Sequence, residues 1–205
     1  YHGTDTQQFR PATDEAERAA LRQRFGLPGG RWMWMFAGEA VKGLRQAIEH
    51  LPEFPDAHLF VLTRSRLEAF KALAERLGVL DRITFWGFEP QPELAYRVAD
   101  LFVYANDYDP FGMVAAEAVS SGVPILCGKQ IGVAELIDHG RNGLLCDPDD
   151  SAEISRYLHW IAALPDRGRA LGLAGREVIR FHSWDRCAEQ TLATYETVLR
   201  EKSSR

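Results

Sequence analysis

The stretch DLFVYANDYDPFGMVAAEAVSSGVPILC, residues 100–127, combines two apolar runs with a helical pattern between them. The runs DLFVYA (100–105) and VPILC (123–127) have the nearly continuous hydrophobicity of buried parallel strands. The segment 112–121 between them is predicted to be a helix. This stretch therefore predicts a strand–helix–strand unit, the building block of a parallel sheet.

The ends of this predicted helix carry clear signals. Asp109-Pro110 is a good N-cap and first-turn pair, and Gly122 followed by Pro124 is typical of a helix end. Because the helix follows a strand through a short loop, its first residues are expected at the edge of the sheet where ligands bind. Free amides there would bind an anion.

The same alternation continues along the chain. Strands are predicted at 32–36, 58–63, 83–88, 100–105, 123–127 and 142–146. Helices are predicted at 43–51, 66–78, 92–98, 112–121, 133–139, 151–163, 166–180 and 184–200. The predicted fold class is α/β, a Rossmann-like parallel sheet with helices on both faces and a ligand site at the carboxyl ends of its strands.

Composition excludes some classes of function. The chain has 205 residues and a net charge of −5, which argues against a nucleic-acid partner. No apolar run approaches the ~20 residues that a membrane span needs. The three cysteines are odd in number and lack metal-ligand spacing, so we expect reduced core thiols in a cytoplasmic protein. The polar segment 1–12 is expected to precede the core, and a chain starting at Tyr1 is expected to be part of something longer.

Three interpretations of residues 106–124 fit the pattern alone. The amides from Phe111 to Val114 form an anion site, with Gly112 allowing close approach and Glu117 accepting hydrogen bonds from a ribose. Alternatively, Asp109 is only a helix cap and Glu117 only an exposed helix acid. In the third interpretation Asp107 and Asp109 hold a metal ion, although no further ligand cluster is visible.

The segment DPFGMVAAEAVSSGVPIL (109–126) resembles the E-x7-E signature of the retaining GT-B glycosyltransferases of family four. The matching positions are Asp109, Phe111, Gly112, Glu117, Ala118, Gly122 and Pro124. The first acid is Asp109 where the family has Glu, one methylene longer. In MFAGEAVKGL (35–44), Lys42-Gly43 match the family's phosphate-binding loop, but Glu39 follows Gly38 where the family has an arginine.

Other segments are similar to the same family. They are HGTDTQQFRP (2–11), ITFWGFEPQPELAYRVADLFVY (83–104), IGVAELIDHGRNGLLCDPDD (131–150) and FHSWDRCAEQTLATYETVL (181–199). The resemblance implies a single donor-binding domain over 1–205, the C-terminal half of a GT-B enzyme. Within it, 1–12 leads in from an N-terminal acceptor domain, and 184–205 forms a closing helix.

The resemblance also implies roles for individual residues. Lys42 and Asp109 would act at the reacting centre, on the diphosphate and on sugar hydroxyls. Donor-binding residues would be Glu117 at the ribose, the backbone of Phe111, Gly112, Met113 and Val114, the base-side residues Trp86, Gly87 and Phe88, and Glu135. No metal and no cofactor are expected, and the substrate would be a nucleoside-diphosphate sugar such as a UDP- or GDP-hexose.

The resemblance further implies hexosyl transfer with retention of anomeric configuration, by a front-face route in which the leaving phosphate helps to deprotonate the acceptor. The acceptor, a saccharide or lipid-linked sugar, would bind through the N-terminal domain. The expected setting is cell-envelope polysaccharide synthesis in the cytoplasm, with peripheral association at the inner face of the membrane. Two alternatives are a GT-B sugar-nucleotide epimerase and an isolated nucleotide-binding module without turnover.

Overall fold

The computed structural model describes residues 2–203. The first residue of the predicted lead-in, Tyr1, and the last two of the predicted closing helix, Ser204 and Arg205, lie outside the described residues. Six parallel strands form one sheet in the order β3-β2-β1-β4-β5-β6. They are β1 Trp32–Ala37, β2 Ala57–Leu62, β3 Ile83–Trp86, β4 Leu101–Tyr104, β5 Ile125–Gly128 and β6 Leu144–Cys146. The predicted α/β fold class and all six predicted strands are confirmed, with strand ends shifted by one or two residues.

The apolar composition of the strands explains their central place. Every residue of β1, β2, β4 and β5 is buried, as expected for strands covered on both faces. β1 pairs with β2 on one side and with β4 on the other. The chain therefore reverses its direction of winding between β1 and β4, which opens a crevice at the carboxyl ends of these two strands.

Eight α-helices surround the sheet in the described part of the chain. They are α1 Glu15–Arg24, α2 Leu44–His50, α3 Glu68–Arg76, α4 Pro92–Tyr96, α5 Met113–Ser120, α6 Ser151–Ala163, α7 Arg169–Ile179 and α8 Trp184–Ser203. Seven of the eight predicted helices are confirmed, most of them with shorter bounds. The helix predicted at 133–139 is wrong in type, because the chain forms a 3-10 helix over Gly132–Leu136 there.

Helix α1 was not predicted. None of its residues is fully buried, so its sequence lacks the apolar stripe by which an amphipathic helix is recognised. Its start is capped by the Asp14 side chain, which accepts a hydrogen bond from the Glu17 amide at 2.8 Å. Arg18 and Arg22 on α1 bind the carboxylate of Asp100, which lies just before β4. These ion pairs, together with the partly buried Leu21, which packs against the core, hold α1 to the sheet.

The expectation that residues 1–12 precede the core is wrong for Thr4 and Phe9, because both are buried. The Phe9 ring packs edge-on against Tyr96, with 5.7 Å between ring centroids. The Phe9 carbonyl oxygen accepts hydrogen bonds from Ser120 Oγ at 2.7 Å and from an Arg176 guanidinium nitrogen at 3.0 Å. This segment therefore packs behind α5 as part of the domain.

Two of the three cysteines, Cys127 and Cys146, are buried free thiols, as expected, whereas Cys187 on α8 is only partly buried. Among residues 2–203, no helix has the length and apolar character of a membrane span.

A glycine fixes the start of α2 against the end of β4. Gly43 has φ +108°, and a Cβ atom there would lie 2.8 Å from the Ala105 carbonyl oxygen. The close approach sets the position of its neighbour Lys42 relative to the loop after β4. A side chain at this position must either strain the backbone or push the two segments apart.

We expect Gly43→Ala to lower the free energy of unfolding by about 2 kcal/mol, because it combines backbone strain with a steric clash. Urea denaturation followed by circular dichroism measures this change. Gly29→Ala is the matched control, since a Cβ atom there meets nothing within 4 Å, and it should change stability by less than about 0.5 kcal/mol. Equal stabilities of the two variants would contradict this account of Gly43.

Candidate functional site

A cleft of about 670 Å³ lies at the carboxyl ends of β1, β2 and β3, with α4 and α5 forming its other walls. It is lined by Ala37, Gly38, Glu39, Leu62, Thr63, Arg64, Ser65, Gly87, Phe88, Glu89, Pro92, Tyr96, Val114 and Glu117. Four of the predicted site residues are therefore brought together here: Gly87, Phe88, Val114 and Glu117. The position agrees with the edge of the sheet at which the sequence predicts a ligand.

Lys42 and Asp109 meet beside this cleft, at the junction of β1 and β4. Asp109 Oδ2 accepts hydrogen bonds from Lys42 Nζ and from the Tyr104 hydroxyl, each at 3.0 Å. Burial opposes ionisation of Asp109, but hydrogen bonds from Lys42, the Gly112 amide and Tyr104 outweigh it and lower its pKa. The hydrogen bond to Asp109 raises the pKa of Lys42 in turn. The two side chains therefore form a charged pair.

The other oxygen of Asp109 takes up part of the predicted anion site. Asp109 Oδ1 accepts hydrogen bonds from the Gly112 amide at 2.6 Å and from the Phe111 amide at 3.2 Å. The prediction of four free amides from Phe111 to Val114 is therefore wrong for the first two. Within residues 2–203, the amides of Met113 and Val114 donate to no protein acceptor, and they stand at the first turn of α5.

Gly112 marks the bend that produces this arrangement. It has φ +84° and directly precedes α5, so the chain turns through a left-handed residue before the helix begins. The turn folds the Phe111 and Gly112 amides back onto Asp109. The prediction that Asp109 is the N-cap of this helix is wrong, because Gly112 is the N-cap residue and no side chain caps the first turn. Asp109 instead accepts hydrogen bonds from the two amides that precede the helix.

Glu117 lies one turn into α5, on the wall of the cleft. Its Oε2 accepts a hydrogen bond from the Tyr96 hydroxyl at 2.7 Å. Burial and the nearby charge of Glu93 raise the pKa of Glu117 to about 7, and the hydrogen bond from Tyr96 opposes this rise. The alternative interpretation of Glu117 as an exposed helix acid is therefore wrong, since the side chain is partly buried and faces a cleft.

The three predicted base-side residues differ in their surroundings. Trp86 packs edge-on against Phe25, with 5.2 Å between ring centroids, and contributes to the core rather than to the cleft. Gly87 and Phe88 do line the cleft, and Phe88 is 63% exposed. The Arg64 guanidinium lies 3.9 Å from the centroid of the Phe88 ring. Together they form a flat cationic and aromatic surface.

Arg64 was missed by the sequence analysis. It follows the end of β2, and only the pairing of β2 with β3 brings it next to Phe88. The available signal was its place in a loop after a predicted strand, one of the loops expected at the ligand edge.

Other candidates lie outside the cleft. Glu135 is exposed and lines a separate cavity of about 370 Å³ together with Pro110 and Phe111. The Phe111 ring is buried and packs against His2, with 5.4 Å between ring centroids. Arg45, one turn from Lys42 along α2, forms an ion pair with Glu49 at 2.7 Å.

Asp107, the other half of the hypothetical metal pair, is exposed, whereas Asp109 uses both oxygens in the hydrogen bonds described above. In the part of the chain that the structure describes, no three His, Cys, Asp or Glu side chains are grouped so as to hold a metal ion.

Known structures share this fold. The structure of HepE from Anabaena in complex with UDP and glucose matches with a TM-score of 0.87 and 21% identity, covering 96% of this chain and 56% of HepE. The C-terminal domain of the group 1 glycosyl transferase LpcC from Francisella tularensis matches with a TM-score of 0.74 and 25% identity, covering 87% of this chain and 97% of that domain.

Curated relatives are also similar in sequence. A D-inositol 3-phosphate glycosyltransferase of Segniliparus rotundus is 32% identical over 211 residues, 97% of this chain and 46% of the relative. That of Xylanimonas cellulosilytica is 32% identical over 217 residues, 99% of this chain and 52% of the relative. The chain thus spans about half the length of the curated relatives it matches. Residues 17–178 match the family model of glycosyl transferases group 1, and we conclude that the chain belongs to this family.

Proposed function

We propose that this chain is the donor-binding domain of a family-four glycosyltransferase that transfers a hexose from a nucleoside diphosphate with retention and without a metal ion. The observation that carries the proposal is the meeting of Lys42, the first turn of α5 and Glu117 at one edge of the sheet. These groups match the diphosphate and the ribose of such a donor. The UDP and glucose in the HepE structure, whose fold this chain shares, support the same class of ligand.

The contacts divide along the length of the donor. Glu117 accepts hydrogen bonds from the ribose hydroxyls, while Phe88 and Gly87 hold the base. The amides of Met113 and Val114 and the Lys42 ammonium bind the diphosphate. Negative charge grows on this group as it leaves, so a helix N-terminus and a cation stabilise the transition state more than the ground state.

Asp109 would contact the sugar only after one of its present hydrogen bonds is broken. A carboxylate offers about four acceptor positions, and here they serve Lys42, Tyr104, Phe111 and Gly112. Lys42 is the most mobile of these donors, because its ammonium ends a flexible stem. When it turns to the diphosphate, Asp109 Oδ2 becomes available to a sugar hydroxyl. Glu135 remains a proposed contact at the sugar end, since its cavity adjoins Pro110 and Phe111.

The complete reaction needs the acceptor, which we assign to a part of the full-length protein beyond this domain. We place the reaction in the cytoplasm, with a saccharide or lipid-linked acceptor. Transfer by the full-length protein supports a glycosyltransferase. Epimerisation of the free sugar nucleotide, or binding without any turnover, would support the two alternative functions instead.

We expect one of UDP, GDP and ADP to bind the wild type in EDTA, and Glu117→Gln to weaken that binding about tenfold or more, because hydrogen bonds to a charged group are lost. Wild-type affinity should rise with pH through about 7 more steeply than that of the variant, because Glu117 ionises there and becomes a full acceptor, whereas the terminal phosphate of the ligand, with a pKa of about 6, ionises equally in both. Calorimetry between pH 6 and 8.5 measures both effects. Binding that requires a divalent ion would contradict the metal-free site.

We expect Lys42→Met to weaken binding of the nucleoside diphosphate about tenfold and to leave binding of the nucleoside unchanged, because only the diphosphate meets the ammonium. Arg45→Met is the matched control, since Arg45 is a basic residue of the neighbouring turn that pairs with Glu49. It should bind both ligands like the wild type. Equal losses of affinity for the nucleoside diphosphate in the two variants would show a general effect of positive charge and contradict a direct contact by Lys42.

A further inference from the structure

We infer that Tyr96 is a positioning residue, which orients the Glu117 carboxylate toward the ribose of the donor. This inference rests on the proposed function, because it assigns a partner to the residue that would hold the ribose. Tyr96 itself would act through Glu117, without a direct role in the reaction.

The contact is short and directional. The Tyr96 hydroxyl donates to Glu117 Oε2 at 2.7 Å, within the usual range for O–H···O hydrogen bonds. Within residues 2–203, it is the sole hydrogen-bond donor to Glu117 that the structure shows. With Oε2 held by the protein, Oε1 and the remaining lone pair of Oε2 are available to the two hydroxyls of a ribose.

The hydroxyl is held in place by rings from two other parts of the chain. Tyr96 is 1% exposed, and its ring packs against Phe9 and Phe102, with centroid distances of 5.7 and 5.8 Å. Because a tyrosine has only two side-chain torsions to fix, little entropy is lost in keeping it aimed at Glu117. The amino-terminal segment, through Phe9, therefore helps to hold the Tyr96 hydroxyl that orients the Glu117 carboxylate.

The electrostatic surroundings make this hydrogen bond necessary. The groups that act directly on Glu117 are Glu93 and Tyr96, both on α4. Glu39, Arg64 and Glu89 line the same cleft from its loops. Tyr104 on β4 acts on Tyr96, and Arg176 on α7 binds the Ser120 carbonyl at the last residue of α5. Burial and Glu93 raise the pKa of Glu117, and Tyr96 lowers it. Burial and Glu117 raise the pKa of Tyr96 well above its ordinary value, so the phenol stays protonated as a donor. Loss of the hydroxyl would therefore favour a protonated Glu117 at neutral pH.

The test is Tyr96→Phe, with two readouts. Carbon-13 NMR of the glutamate carboxyls in the free protein should show the titration midpoint of Glu117 about one pH unit higher than in the wild type. UDP, or whichever nucleotide the wild type binds, should bind about fivefold more weakly at pH 7, because the ionised fraction of Glu117 falls by that factor, and should regain most of its affinity near pH 9. A merely structural role of Tyr96 would lower affinity equally at all pH values and would leave the midpoint in place.

The control is Tyr157→Phe, which removes a comparable hydrogen bond from Tyr157 to Glu153 Oε1 at 3.1 Å, away from the cleft. It should change neither readout.

If the Tyr96→Phe variant does not fold, incorporation of 3-fluorotyrosine at position 96 is the test instead. The more acidic phenol is a stronger hydrogen-bond donor, so the titration midpoint of Glu117 should fall.

Two outcomes would overturn the inference in distinguishable ways. An unchanged Glu117 midpoint in Tyr96→Phe, together with weakened binding in Glu117→Gln, would remove the role of Tyr96 and leave the donor site standing. Unchanged nucleotide binding in Glu117→Gln would remove the ribose contact of the proposed function, and the inference with it.

Discussion

Parallel pairing of β1 with β4 at the centre of the sheet brings together two chain segments that are far apart in sequence. Trp34 lies opposite Leu101 and Met35 opposite Phe102, so the loops that follow both strands leave the sheet at the same edge. One loop carries Lys42 and the other carries Asp109, and their side chains meet at 3.0 Å. The charged pair, the start of α5 and the cleft all depend on this reversal of strand order.

Two carboxylates beside this crevice are placed in opposite electrostatic states. Asp109 is held by a cation, a phenol hydroxyl and two amides, which lower its pKa. Glu117 has one phenol hydroxyl as donor and a second acid, Glu93, nearby, and its pKa is about 7. The first group is therefore a permanent anion and the second titrates near neutral pH. The separate roles that we propose for them, at the sugar and at the ribose, rest on these surroundings rather than on residue type.

The strands and the order of elements were predictable, because their signals are local in the sequence: continuous apolar runs bounded by glycine, proline and acidic residues. Helix α1 was not predictable from an apolar stripe, since ion pairs to Asp100 hold it. Phe9 was not predictable as a core residue, because its neighbour Tyr96 stands 87 positions away along the chain.

The site was predictable in outline and not in detail. The edge of the sheet, Lys42, Asp109 and Glu117 followed from strand ends and from a family resemblance. The sequence does not specify which way a side chain at a strand end turns, so Trp86 was expected at the ligand and packs in the core instead. Nor does it reveal that the Gly112 turn folds two amides back onto Asp109, or that Arg64 and Tyr96 reach the cleft from other elements.

The most direct test of the donor site is a crystal structure of this chain with UDP, or with the nucleotide that it binds best. The account predicts ribose hydroxyls on Glu117, the diphosphate at the Met113 and Val114 amides with Lys42 turned toward it, and the base beside Phe88. A nucleotide bound at the opposite edge of the sheet, in the pocket that Arg18, Arg22 and Trp32 help to line, would contradict it.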